Sequence, residues 1–96
     1  MMSVYQYNAK TDANQAEIVG ALREVGASTW LVKWPYDLLV GFRGVLYLLE
    51  CKVPGEKMNP KQELSKRLLE ACGCTVALVH DVDEALKAIG AMQENP

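Results

Sequence analysis

Two apolar runs flank Arg43-Gly44: Asp37-Leu-Leu-Val-Gly-Phe42 before it and Val45-Leu-Tyr-Leu-Leu-Glu-Cys-Lys52 after it. Short runs rich in aliphatic and aromatic residues, joined by a glycine-containing pair, make a β-hairpin. A loop of two or of four residues centred on that pair gives the same register, and in it Asp37 lies opposite Glu50. Side chains alternate along a strand, so Glu50 and Lys52 share one face while Cys51 points to the other. Like charges directly opposite each other destabilise a sheet. The pair is therefore a poor structural element and a good cation site.

The rest of the chain supplies elements to pack around this hairpin. Asp12-x-x-Gln15, Asn59-Pro60-x-Gln62 and Asp81-x-x-Glu84 each fit a capping box, and Pro60 suits a first helical position. The spacing predicts a helix from about Asp12 to Val25, with Ile18, Ala21, Leu22 and Val25 as its apolar stripe, ending at Gly26. A second helix follows Asn59, burying Leu64, Leu68, Ala71 and Cys72 before Gly73. A third follows Asp81, burying Ala85, Leu86 and Ile89. Strands are expected over Ser28–Lys33, Asp37–Phe42, Val45–Lys52 and Thr75–Val79, the last apolar enough to be covered on both faces. The order is helix, three strands, helix, strand, helix, an α/β class built around a mixed sheet. The reading makes residues 1–96 one domain, with flexible ends at 1–10 and 93–96.

Composition narrows the function classes. A net charge of −2 argues against holding nucleic acid by bulk positive charge alone, but not against an acidic site neutralised by divalent ions. No apolar run resembles a signal peptide or reaches membrane-spanning length, so a soluble, cytoplasmic protein with no membrane partner is expected. Three cysteines, Cys51, Cys72 and Cys74, read as reduced thiols packed as small hydrophobes. With His80 the only histidine, a closed zinc site at Cys72-Gly73-Cys74 lacks ligands.

The ordered set of these motifs resembles the PD-(D/E)xK nuclease superfamily, and within it small phage-type VRR-NUC or Holliday-junction-resolvase-like proteins. The resemblance covers nearly the whole chain: Asp12-Ala-Asn-Gln15-Ala-Glu17-Ile-Val, Asp37-Leu-Leu-Val-Gly-Phe-Arg-Gly44, Leu49-Glu-Cys-Lys52, Asn59-Pro-Lys-Gln62 and Val79-His-Asp-Val-Asp-Glu-Ala-Leu86. Two departures stand out. Lys33-Trp34-Pro35-Tyr36 replaces the glycines and adjacent Pro that usually precede the aspartate, and Cys51 replaces the usual valine.

The resemblance implies roles. Asp37, Glu50 and the Cys51 backbone carbonyl would hold Mg²⁺ or Mn²⁺ through hard oxygen ligands. Lys52 would sit by the attacking water or support the pentavalent transition state. Glu17, flanked by Ala13, Ala16, Gly20 and Ala21, becomes a metal or water ligand, against the plainer reading of a solvated helix glutamate. Gln62 is either a polar residue of the site or only the capping partner of Asn59. Lys33, Lys57 and Lys61 are candidate phosphate contacts, against ordinary solvated lysines. Trp30, Trp34 and Tyr36 stack on an unpaired base, or belong to the core or a dimer surface. His80 is expected to hydrogen-bond near the last helix cap.

The function expected on this basis is metal-dependent endonucleolytic cleavage of DNA, selective for branched or junction structure and carried out by a homodimer. The alternative is a non-catalytic nucleic-acid-binding or assembly protein that keeps the fold.

Overall fold

A computed structural model describes residues 14–93. The expected capping role of Asp12 and most of the two expected flexible ends lie outside the described residues. Among the described residues three helices and one four-stranded sheet follow the expected order. They are α1 (Gln15–Glu24), β1 (Ser28–Leu31), β2 (Leu38–Phe42), β3 (Val45–Cys51), α2 (Pro60–Ala71), β4 (Thr75–Val79) and α3 (Val82–Ala88). The sheet runs β1-β2-β3-β4, antiparallel across the first three strands and parallel between β3 and β4.

The hairpin closes with a two-residue loop. Arg43 and Gly44 both have positive φ, 50° and 82°, as the tight turn that matches strand twist requires. Arg43 takes this conformation with its guanidinium 4.7 Å from the centre of the Phe42 ring. From Leu38 onward the register is the expected one: Leu38 pairs with Leu49, Val40 with Tyr47 and Phe42 with Val45. The expected direct opposition of Asp37 and Glu50 is not made, because Asp37 leaves the ladder with its N–H on the Leu49 carbonyl. Both flanking strands are a residue or two shorter than expected, β1 ending at Leu31 and β2 starting at Leu38.

All three helices stop in the same way. The N–H of Gly26, Gly73 or Gly90 bonds back to the carbonyl of Arg23, Glu70 or Lys87, and the next N–H reaches Leu22, Leu69 or Leu86. This paired arrangement needs a left-handed residue at the glycine, where any side chain would be strained.

One face of the sheet carries the main core. Leu38, Val40, Phe42, Leu49, Cys51 and Val79 pack there against Ile18, Val19 and Leu22 of α1 and against Ala85 and Ile89 at α3. The stripe of α1 is shifted from expectation: Val19 is buried in place of Val25, which lies exposed at the helix end. Fully burying one such aliphatic side chain contributes about 1.5–3 kcal/mol, so this layer dominates stability.

The other face holds a smaller cluster of Tyr36, Met58 and Val76, with Leu48, Leu69 and Leu78 against it. β4 is thus covered on both sides, as its apolar run implied. Here α2 differs most from expectation. It has no buried residue, and Leu64 and Leu68 are 49% and 60% exposed. Ala71, Cys72 and Cys74 are exposed as well, so the two C-terminal cysteines are surface thiols and not packed hydrophobes. The inward stripe is instead Gln62, Ser65, Lys66 and Leu69, at spacings of three and four. The physical reason is that the helix is pinned at Gln62, which bonds to Glu50, Asn59 and Tyr36, and this pin sets its rotation against the apolar period.

Candidate active site

The site forms where β2 and β3 part company. Leu38 is the first residue of β2 in the ladder, and Asp37 before it bends away: its N–H bonds to the Leu49 carbonyl at 3.1 Å. Its carboxylate Oδ2 then accepts from the Cys51 N–H at 2.9 Å, where a strand carbonyl would otherwise bond. The N–H and C=O of a strand residue point to the same side, so the Cys51 carbonyl is directed towards the edge that Asp37 occupies. The Cys51 side chain turns the other way, into the main core. Alternation puts Glu50 on the α2 face.

Glu50 is the buried member of the pair, at 5% exposure. Its Oε2 accepts from Gln62 Nε2 at 2.8 Å and lies 3.6 Å from Lys52 Nζ. Burial first, and then the Asp37 carboxylate beside it, push its carboxyl above the ordinary glutamate range, while Gln62 and Lys52 pull the other way. A buried carboxylate next to a second one favours a proton or a cation between them. The donor set, all hard oxygens, suits a divalent ion such as Mg²⁺ or Mn²⁺.

Gln62 satisfies both of its sequence readings. It completes the capping box, with its N–H bonded to Asn59 Oδ1 at 2.8 Å and its Oε1 accepting from the Asn59 N–H at 3.1 Å. Those bonds orient the amide so that Nε2 faces Glu50. The Gln62 carbonyl accepts from the Tyr36 hydroxyl at 3.0 Å. Tyr36 is buried in the small cluster, and burial together with the Glu50 charge raises its pKa, keeping the hydroxyl a donor. Tyr36 therefore belongs to the core and is no stacking platform.

The remaining candidates are more dispersed. Glu17 is exposed on α1, whose buried stripe lies on the opposite face of the sheet from Glu50. Among the described residues no group of three or more His, Cys, Asp or Glu side chains is placed to hold a metal ion, so Glu17 does not complete a triad with Asp37 and Glu50. Lys33 and Lys61 are exposed and line one groove together with Trp34, Asn59 and Gln62. Lys57, exposed in the loop before α2, does not line that groove.

Two features escaped the sequence reading. Asn14, at the start of α1, donates from Nδ2 to both the Lys52 and the His80 carbonyls at 2.9 Å, tying α1 to the ends of β3 and β4. Only its position in the run Asp12-Ala-Asn-Gln15 hinted at a role. Second, Glu84 makes half of the expected capping box: its N–H bonds to Asp81 Oδ1 at 2.8 Å, but its carboxylate turns to His80, meeting the backbone N–H and Nδ1 at 2.9 Å. His80 Nε2 faces the Glu56 carbonyl at 2.7 Å. Acceptors at both ring nitrogens favour the imidazolium, and the bonds to Glu56 and then Glu84 raise the pKa. His80 thus clamps the loop that carries the chain from Lys52 towards α2.

Comparison with family models, with curated proteins and with solved structures returns no match. The functional reading therefore rests on the geometry of these residues.

Proposed function

We propose that this chain is a metal-dependent endonuclease of PD-(D/E)xK type, hydrolysing DNA phosphodiester bonds with a preference for branched structures. The observation that carries the reading is the Asp37–Glu50 carboxylate pair, with Glu50 buried and Lys52 and Gln62 gathered on its Oε2. Pairing two carboxylates at a broken sheet edge costs stability unless a cation relieves it. Mg²⁺ or Mn²⁺ would be held by Asp37, Glu50 and the Cys51 carbonyl, and when bound it supplies an acidified water and charge stabilisation at the phosphate. The protein's own part is positional. Gln62 fixes the Glu50 carboxylate in one orientation, and the Lys52 ammonium supports negative charge building on the phosphate oxygens in the transition state.

Structure selectivity follows from what the described residues lack. No helix-turn-helix or zinc finger reads base edges among them, and phosphate contacts alone carry no sequence information. A homodimer that presents two sites suits branched DNA, and the exposed Trp30, Leu64 and Leu68 offer apolar surface for a twofold contact. The exposed position of Glu17, outside the carboxylate pair, favours the second reading, a non-catalytic nucleic-acid-binding or assembly protein.

Incubation of the purified protein with a four-way junction, a flap, single strands and linear duplexes at one salt concentration tests the reading. Cleavage in Mg²⁺ or Mn²⁺ is expected, strongest on the branched substrates. It should be lost on chelation and reduced at least about a hundredfold in Asp37→Asn and Glu50→Gln. Activity of either variant within a few fold of the wild type contradicts the site, and cleavage that follows a short motif in linear duplex contradicts the substrate class.

A further inference from the structure

Beside the carboxylate pair lies an open groove of about 530 Å³, between the segment that precedes Asp37 and the first turns of α2. Lys33, Trp34, Asn59, Lys61, Gln62 and Leu64 line it. This volume is within the range of about 300–1,000 Å³ common to small-ligand sites. Trp34 is the most exposed large hydrophobic side chain described, at 82%. An indole so placed is costly to leave in water and has a whole face on offer.

We propose that this groove holds an unpaired nucleotide, its base stacked on Trp34 and its flanking phosphates on Lys33 and Lys61. Three observations converge on that occupant. The two lysines give the groove a positive rim, and among the described residues neither takes part in an ion pair. The Trp34 indole offers a π face that any base can use, which is how single strands are held without sequence preference. Gln62 lines the groove and also bonds Glu50 at 2.8 Å, so a strand seated there leads directly to the carboxylate pair.

Stacking on Trp34 demands an unpaired base. Inside a duplex both faces of each base pair are covered by neighbours, and only a flap, a junction arm that has opened or a frayed end exposes one. The inference rests on the nuclease reading for the use to which the strand is put, and it gives that reading a physical source of structure selectivity. Two other cavities among the described residues do not compete. One, of about 320 Å³, lies under α1 and Leu31, and another surrounds the hairpin tip at Arg43; neither is lined by a residue of the carboxylate site.

The chain has two tryptophans, so Trp30→Phe leaves Trp34 as the sole indole emitter. In chelator, where no cleavage can occur, a short oligothymidylate should quench that emission saturably. A hairpin-closed duplex of equal length should quench it far less. By anisotropy of the labelled oligonucleotide, Trp34→Ala should weaken single-strand binding roughly fivefold to a hundredfold, the range of one base–aromatic stack, and Trp34→Phe should keep most of it. Lys33→Gln and Lys61→Gln should each lower the slope of log affinity against log salt by about 0.7.

Absence of quenching, equal quenching by the duplex, or wild-type affinity in Trp34→Ala each overturns the groove, whatever the enzyme cleaves. Quenching and weakened binding as described, in a protein that cleaves no DNA in either metal, would leave the groove standing and remove the nuclease reading instead.

Discussion

The two faces of the sheet are built on different rules. The face under α1 and α3 is dry: apolar residues from three strands meet aliphatic residues from two helices, and the hydrophobic period decides which way each element turns. The face under α2 has a small apolar cluster and, beside it, the buried Glu50. There the rotation of the helix is set by polar bonds: Gln62 to Glu50, Gln62 to Asn59 and Tyr36 to Gln62. The first face holds the fold together. The second trades apolar burial for a fixed carboxylate, leaving Leu64 and Leu68 in solvent.

The largest effects should separate these faces in stability. Leu49→Ala empties a fully buried position of the dry face and should cost about 2–5 kcal/mol in denaturant unfolding. Leu68→Ala, though the same chemistry on a strongly apolar helix position, should change monomer stability by no more than about 0.5 kcal/mol. A comparable loss in Leu68→Ala, dependent on protein concentration, would mean that α2 buries this surface against a second copy.

Of intermediate size, Gln62→Ala and Asn59→Ala should divide the roles of the polar pin. Each loses one of the two bonds of the capping box and about 1 kcal/mol of stability. Only Gln62→Ala removes the donor to Glu50, so only in that variant should the Glu50 carboxyl titrate at still higher pH, as followed by carbon-13 NMR. Equal titration in the two variants would show that the pin does not reach the site.

The smallest effect is a dependence on pH in the metal-free protein. The pKa of Glu50 is raised in the fold, by burial and then by Asp37. The folded state therefore holds this proton more tightly than the unfolded chain. The resulting stability is fully present below the ordinary glutamate pKa and lost as pH rises through the folded one. Glu50→Gln carries no such dependence. In chelator it should melt a few degrees above the wild type at neutral pH, with the difference closing in acid. A variant that melts lower at neutral pH would mean that the Lys52 contact outweighs the repulsion.

The dry face was largely legible in the sequence, and the polar face only in part. The hairpin register from Leu38 onward, the Thr75–Val79 strand and the helix stops at Gly26 and Gly73 follow from local rules that no distant contact overrides. The two-residue turn also brings Asp37 and Glu50 to the same end of the hairpin, but the bend that takes Asp37 out of the ladder and turns its carboxylate to the Cys51 N–H was not legible. The rotation of α2 was not legible. Its apolar residues at 64, 68, 71 and 72 describe a convincing buried stripe, and nothing local says that Gln62 will be claimed by Glu50, a residue of another element. The exposure of Cys72 and Cys74 follows from the same rotation. Asn14 was missed because its two acceptors are backbone carbonyls at the ends of β3 and β4, which carry no side-chain signature. His80 was placed correctly near the last helix cap, but its hold on Glu56 joins segments that sequence spacing does not relate.

The central claim is that the Asp37–Glu50 pair exists to hold a divalent cation. Titration of Mn²⁺ into the metal-free protein by calorimetry, repeated across pH and in Asp37→Asn and Glu50→Gln, tests it most directly. The account predicts saturable binding that strengthens as pH rises, because the ion competes with the proton for the raised Glu50 carboxyl, and it predicts loss of that binding in both variants. Binding that is independent of pH and survives in either variant, or no binding at millimolar Mn²⁺, would contradict it.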